Sequence, residues 1–312
     1  EGDFSHIQTL VRHIFGEQYE LGMDYLQLLY LQPVQKLPIL LLVSEERNTG
    51  KSTFLNFLKA VFRNNVTFNT NEDFRSQFNA DWTGKLVIVV DEVLLNRRED
   101  SERLKNLSTT LSYKVEAKGK DRDEIAFFAK FVLCSNNESL PVIIDPGETR
   151  YWVRKIYRLE SDDTNFLQKL TAEIPAFLYF LQHRKLTTRQ ESRMWFSPKL
   201  TETPTLQRII RCNRGKHEVE AMELIREIMD NMEIESFSFC LNDLLNLLNL
   251  SGVKIEKHQL RRIVTESWKL TPAPNGLTYT SYQFAYNKER RFAPIKRVGR
   301  FYTVSRTLLD EL

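Results

Sequence analysis

The stretch Ser44-Glu45-Glu46-Arg47-Asn48-Thr49-Gly50-Lys51-Ser52-Thr53 decides the fold. Residues 37–43 before it form an apolar run interrupted by Pro38, the pattern of a buried strand. Behind it, Phe54, Leu55, Leu58, Val61 and Phe62 recur at helical spacing, so residues 50–62 read as a helix. A strand, a polar loop closing in Gly-Lys-Ser-Thr and a helix form a cradle: backbone N–H groups converge on phosphate oxygens, helped by the helix N-terminus. Asn48, Thr49, Gly50, Lys51, Ser52 and Thr53 are the candidate phosphate binders. Lys51 would reach the terminal phosphates of ATP, and the Ser52 hydroxyl would ligate Mg2+. The usual first glycine of such a loop is Glu45 here, which fits only a turn needing no positive φ.

Further along, residues 86–90 form a second apolar run that ends in Asp91-Glu92. A carboxylate at the carboxyl end of a buried strand lies where open α/β sheets bind ligands. Asp91 is the candidate Mg2+ holder and Glu92 the candidate general base that polarises the attacking water. A third run, residues 127–134, leads into Ser135-Asn136-Asn137, where the Asn136 amide could bond the terminal phosphate or orient the water. Then comes Glu148-Thr149-Arg150-Tyr151-Trp152-Val153-Arg154-Lys155. In ring-shaped ATPases an arginine reaches into the neighbouring subunit's site and neutralises transition-state charge. Arg150 and Arg154 are both candidates for that role.

Taken in order, these pieces resemble the superfamily 3 helicases, most closely the poxvirus-type primase-helicases and their phage and bacterial mobile-element relatives. The likeness rests on residues 48–53, 87–92, 131–137 and 150–156, with the helical segment 170–181 after them. It implies an AAA+-like P-loop ATPase that assembles into a ring, typically a hexamer, and translocates along single-stranded or forked DNA. It also implies a DNA-gripping hairpin, best matched by residues 114–122, with Lys118 and Lys120 at its turn. Relatives often carry a primase domain upstream; a chain that starts at Glu1 is expected to be the helicase portion.

Residues 184–216 carry little periodic pattern and read as a connector. Beyond them, amphipathic helices at 217–232 and 241–249 precede a basic helix at 256–269, where Arg261 and Arg262 are candidate DNA contacts. Aromatic, β-favouring segments at 276–286 and 300–304 suggest a two-stranded ribbon, and with the helices a winged helix. Residues 285–306 hold Lys288, Arg290, Arg291, Lys296, Arg297, Arg300 and Arg306 against the single acid Glu289, interleaved with aromatics, a composition suited to DNA backbone contact.

The expected organisation is therefore an N-terminal helical segment (1–30), an α/β ATPase domain (31–185), a connector (186–215) and a winged helix (216–312). With 44 basic and 41 acidic residues the net charge is only +3, so any nucleic-acid surface must be local. Three separated cysteines offer neither a disulfide framework nor zinc spacing, which fits a reducing, intracellular compartment; the resemblance implies the cytoplasm of a bacterial or phage-infected cell. No apolar run reaches membrane-spanning length. Two rival functions stay open on the sequence: a non-translocating AAA+ loader or remodeller, and a nucleotide-dependent DNA-binding switch with a degenerate phosphate loop.

Overall fold

The apolar runs become the inner strands of a parallel sheet in the computed structural model, which describes residues 2–76, 80–115, 123–159, 163–285 and 291–312. The chain divides into two units, Glu1–Asn213 and Arg214–Leu312. In the first, helices α1 (Ser5–Phe15) and α2 (Tyr19–Leu31) precede strand β1 (Ile39–Val43). There follow α3 (Lys51–Phe62), β2 (Val66–Asn69), α4 (Asn71–Arg75), β3 (Val87–Val90) and α5 (Arg98–Thr109). The antiparallel pair β4 (Ser112–Val115) and β5 (Asp123–Ala126) leads to β6 (Lys130–Ser135) and β7 (Tyr151–Lys155). Helices α6 (Phe166–His183), α7 (Pro198–Thr201) and α8 (Pro204–Cys212) complete the unit.

The sheet order is β2-β3-β6-β1-β7, with every pairing parallel. All residues of β1, β3 and β6 are buried; the side chains are apolar throughout β1 and β3 and in β6 between Lys130 and Ser135, as burial under helices on both faces requires. Alternate side chains feed two cores. Leu40, Leu42, Val132 and Trp152 join residues of α1, α2, α3 and α6. Leu41, Val43, Leu133 and Val153 join Phe74 of α4, Leu104 of α5 and Ile209 of α8. Each such side chain contributes about 1.5–3 kcal/mol on burial. Because β1 is flanked by β6 and β7, the chain leaves it toward one edge and later returns on its other side. A crevice therefore opens at its carboxyl end.

Two segments differ from the sequence expectation. The N-terminal helices share the first unit's core, with Ile7, Leu10, Ile14 and Phe15 buried against the sheet cover. The stretch expected as a connector contains α8, whose Leu206, Ile209 and Ile210 are buried in the second core. Thr203 starts that helix: its hydroxyl accepts from the Leu206 N–H and donates to the Val153 carbonyl of β7. Three apolar residues in a helix of nine are too few to stand out as a periodic pattern.

The second unit contains α9 (Lys216–Met232), β8 (Ser236–Phe239), α10 (Leu241–Leu250), α11 (Lys257–Arg262), β9 (Leu277–Phe284), β10 (Phe292–Gly299), β11 (Tyr302–Ser305) and α12 (Arg306–Glu311). The expected ribbon is re-partnered: β9 pairs with β10, whereas residues 302–305 pair with β8. The basic helix widens after Arg262 into a π turn at Ile263–Ser267, keeping Leu260, Val264 and Trp268 on one buried side. Among the described residues no helix is long and apolar enough to cross a membrane.

Candidate nucleotide site

At the carboxyl end of β1, the Ser44 N–H donates to the Ser135 carbonyl at 3.1 Å, so the loop leaves the sheet beside the end of β6. Asn48 (φ 57°) and Gly50 (φ 80°) take the left-handed conformations; Glu45 does not, which is the condition its side chain needs in that place. Three distant segments hold the loop. The Glu45 N–H donates to Glu138 Oε1 (3.1 Å), the Leu159 N–H to the Asn48 carbonyl (3.0 Å) and His13 Nε2 to the Thr49 carbonyl (2.9 Å).

Helix α3 begins at Gly50 with no side-chain cap and no acid in its first turn. Its first N–H groups and the positive end of its dipole therefore remain available to an anion. Lys51 is buried, and its ammonium donates to Ser44 Oγ (2.5 Å) and Asn136 Oδ1 (3.0 Å). Burial pushes the Lys51 ammonium below its usual range, while the nearby Cys134, Asp91 and Glu138 groups oppose that shift. The structure thus brings Lys51 of the loop and Asn136 of the third strand end into direct contact.

Asp91 and Glu92 follow β3, one strand beyond β6. Glu92 sits at φ 51°, a strained conformation for a residue with a Cβ. Asn71 of α4 fixes this turn: its amide donates to the Glu92 carbonyl (3.1 Å) and its Oδ1 accepts from the Leu94 N–H (2.9 Å). Glu92 itself is exposed, as is Ser52. Among the described residues no three His, Cys, Asp or Glu side chains cluster as a metal cage. Mg2+ needs none, since it usually takes one or two carboxylates together with phosphate oxygens and waters.

The two arginines part company. Arg154 is buried and donates to Glu17 Oε1 (2.7 Å) and Gln18 Oε1 (2.9 Å) at the junction of α1 and α2. Arg150 lies just before β7, where its carbonyl accepts from the Ile39 N–H at the start of β1. That is the amino end of the sheet, roughly 17 Å of strand away from the loop. Its guanidinium pairs with Glu148 at 2.7 Å, and its buried Nε has no partner among the described residues.

Glu138, Asn71 and His13 escaped the sequence reading. Glu138 is buried, with one oxygen on the Glu45 N–H and the other accepting from Lys155 (2.9 Å) and Arg208 (3.1 Å). A carboxylate just past Asn136-Asn137 was the available signal. Of the candidate DNA contacts, Arg261 and Arg262 are exposed on α11. The segments flanking the expected hairpin pair as β4 and β5, Lys114 opposite Glu124, whereas its turn with Lys118 and Lys120 lies outside the described residues. In the basic C-terminal stretch, Arg291 pairs with Glu227, Arg297 with Asp243 and Arg306 with Asp230, which removes part of its free charge. Lys288 and Arg290 also lie outside the described residues.

Residues 42–154 match a family described as of unknown function (DUF5906), a span that runs from β1 through Lys51, Asp91 and Asn136 to Arg154. No curated protein matches the chain. Among solved structures the fold is similar to the NrS-1 C-terminal region. Its apo structure (305–718) has a TM-score of 0.66 at 17% identity, over 96% of this chain and 75% of that one. An A-form apo structure (305–718) gives 0.63 at 17% identity, over 92% and 74%. Another A-form apo structure gives 0.59 at 19% identity, over 86% and 63%. At these identities the likeness concerns the fold.

Proposed function

We propose that this chain is an ATP-dependent DNA helicase or translocase of the superfamily 3 type, acting in phage or mobile-element DNA replication in the bacterial cytoplasm. The observation that carries the reading is the contact of Lys51 with Ser44 and Asn136 at an uncapped helix N-terminus. A buried ammonium tied to two strand ends, beside free N–H groups, suits a polyphosphate and little else. In this reading residues 48–53 hold the phosphates, Ser52 and Asp91 hold Mg2+, and Glu92 takes the proton of the attacking water. The bound ion supplies charge neutralisation at the phosphates. Asn71 holds the Glu92 turn in its strained conformation. Arg150, remote from its own loop, serves a neighbouring copy in a ring, typically hexameric, while Arg154 braces the N-terminal helices.

The second unit has helices, then an antiparallel ribbon, and we read it as a winged helix with Arg261 and Arg262 toward DNA. The hairpin with Lys118 and Lys120 grips single-stranded or forked DNA. The degenerate-loop switch loses its motive, because Glu45 occupies a turn that needs no glycine.

The test is turnover and strand separation on forked duplex by the purified chain. Glu92→Gln should bind nucleotide and turn over about 10²–10⁴-fold more slowly. Turnover without strand separation would favour the loader; nucleotide binding with no turnover in the wild type would favour the switch.

A further inference from the structure

At the amino ends of the same strands lies a shallow groove formed by the turn after α2, the end of α5 and the segment around residue 190. Three of its lining residues are large apolar side chains left in water: Leu31 is 45% exposed, Val34 72% and Leu111 79%. The polar side chains around them are Gln32, Gln35, Lys36, Gln190 and Arg193, with Thr109; among the described residues no carboxylate lines the groove. Beneath it two ammonium groups are buried. Lys36 donates to the Phe127 carbonyl (2.8 Å) and Lys130 to the Pro33 carbonyl, and among the described residues neither has an acidic partner. With Arg193 on its exposed rim, the surface is matched in charge to an anionic chain, and its apolar strip to flat, weakly hydrated groups along that chain. Leu111 also leads directly into β4, so the groove is continuous with the root of the hairpin.

We propose that this groove is a second contact for single-stranded nucleic acid, with bases on Leu31, Val34 and Leu111 and phosphates on Arg193. The proposal rests on the DNA-acting reading above. It places the strand across the amino end of the sheet, away from the nucleotide, so that the hairpin and the groove together form one path. Contacts of this type ignore sequence and weaken with salt.

The test titrates a labelled oligothymidylate into the full chain, wild type and the variant Arg193→Glu/Val34→Asp, at several salt concentrations. Both positions lie on the groove's exposed lining, and folding of the variant is checked by circular dichroism and thermal melting. Should the double variant fold poorly, Arg193→Glu alone is used. We expect binding about tenfold weaker and a salt slope shallower by about one unit, with nucleotide binding unchanged. A folded variant with wild-type affinity and slope would overturn the groove while leaving the helicase reading intact, the more so if Lys118→Ala/Lys120→Ala loses binding. Variant chains that keep DNA affinity but lose solution mass would make the occupant a second copy of this chain. Equal competition by polyglutamate would make it an acidic peptide. Either result overturns the proposal. A wild-type chain that binds no oligothymidylate removes both the groove and the DNA step of the function.

Discussion

Both ends of the same five strands bury a lysine, and the two differ in what surrounds the charge. At the carboxyl ends Lys51 has a hydroxyl, an amide oxygen and two nearby carboxylates, which offset part of its desolvation. At the amino ends Lys130 has one carbonyl and the repulsion of Lys36; burial and that neighbour push it down to about 7, and burial alone pushes Lys36 to about 8. Burial by itself therefore does not mark a functional lysine. Lys51 is set apart by receiving groups arranged around an open helix terminus.

The sharpest test of that contrast is Lys51→Ala, which should bring ATP turnover to background while circular dichroism and melting stay near wild type. Wild-type turnover in the variant would reduce Lys51 to another buried cation like Lys130. Next is Arg150→Ala, at the amino end, expected to cost about 10³–10⁵-fold in turnover of the assembled protein. Mixing it with Lys51→Ala should restore activity, because some interfaces then join an intact loop to an intact arginine. No rescue, with turnover per chain independent of concentration, would confine Arg150 to its Glu148 pair.

A smaller effect separates the lysines by pH. The folded state holds Lys130 at about 7 against an ordinary 10.5, so the unfolded chain binds more protons between those values. Stability should rise from pH 7 toward 10.5, by up to about 1.4 kcal/mol per pH unit for this group. Urea denaturation of Lys130→Met should show a shallower rise than wild type; parallel curves would mean that Lys130 is not desolvated as the geometry implies. Smallest of all, Arg154→Ala should lower stability by about 1–2 kcal/mol through its lost bonds to Glu17 and Gln18. Turnover at saturating nucleotide should hold, and an Arg154 variant that folds normally but cannot turn over would reverse the roles given to the two arginines.

The carboxyl end was largely legible in the sequence, because continuous apolar runs announce buried strands and the chemistry lies where those runs stop. The strands that lead toward Lys51, Asp91 and Asn136 begin or end within a few residues of the expected places. What escaped is what depends on pairing between distant segments. The four residues of β2 alternate too briefly to register, and α8 has only three buried apolar residues. Residues 302–305 are equally strand-like whether paired with β9 or with β8, and only the tertiary fold chooses. Glu138 and His13 matter through backbone groups of the loop, which carry no side-chain signature.

The cover over one face of the sheet comes from both sides of the motifs: α1 and α2 precede them, α6 follows, and Glu173 of α6 accepts from the N–H groups of His6 and Ile7 at the start of α1. During synthesis that cover must then stay incomplete until α6 has left the ribosome. Contacts so far apart in sequence make for slow folding, and incompletely covered parallel strands are exposed to aggregation while they wait. The nascent chain is therefore a natural client for chaperones through the whole length of its first unit. Variants that weaken the closure of α6 on α1 should show themselves first as poor soluble yield, before any loss of activity in the molecules that do fold.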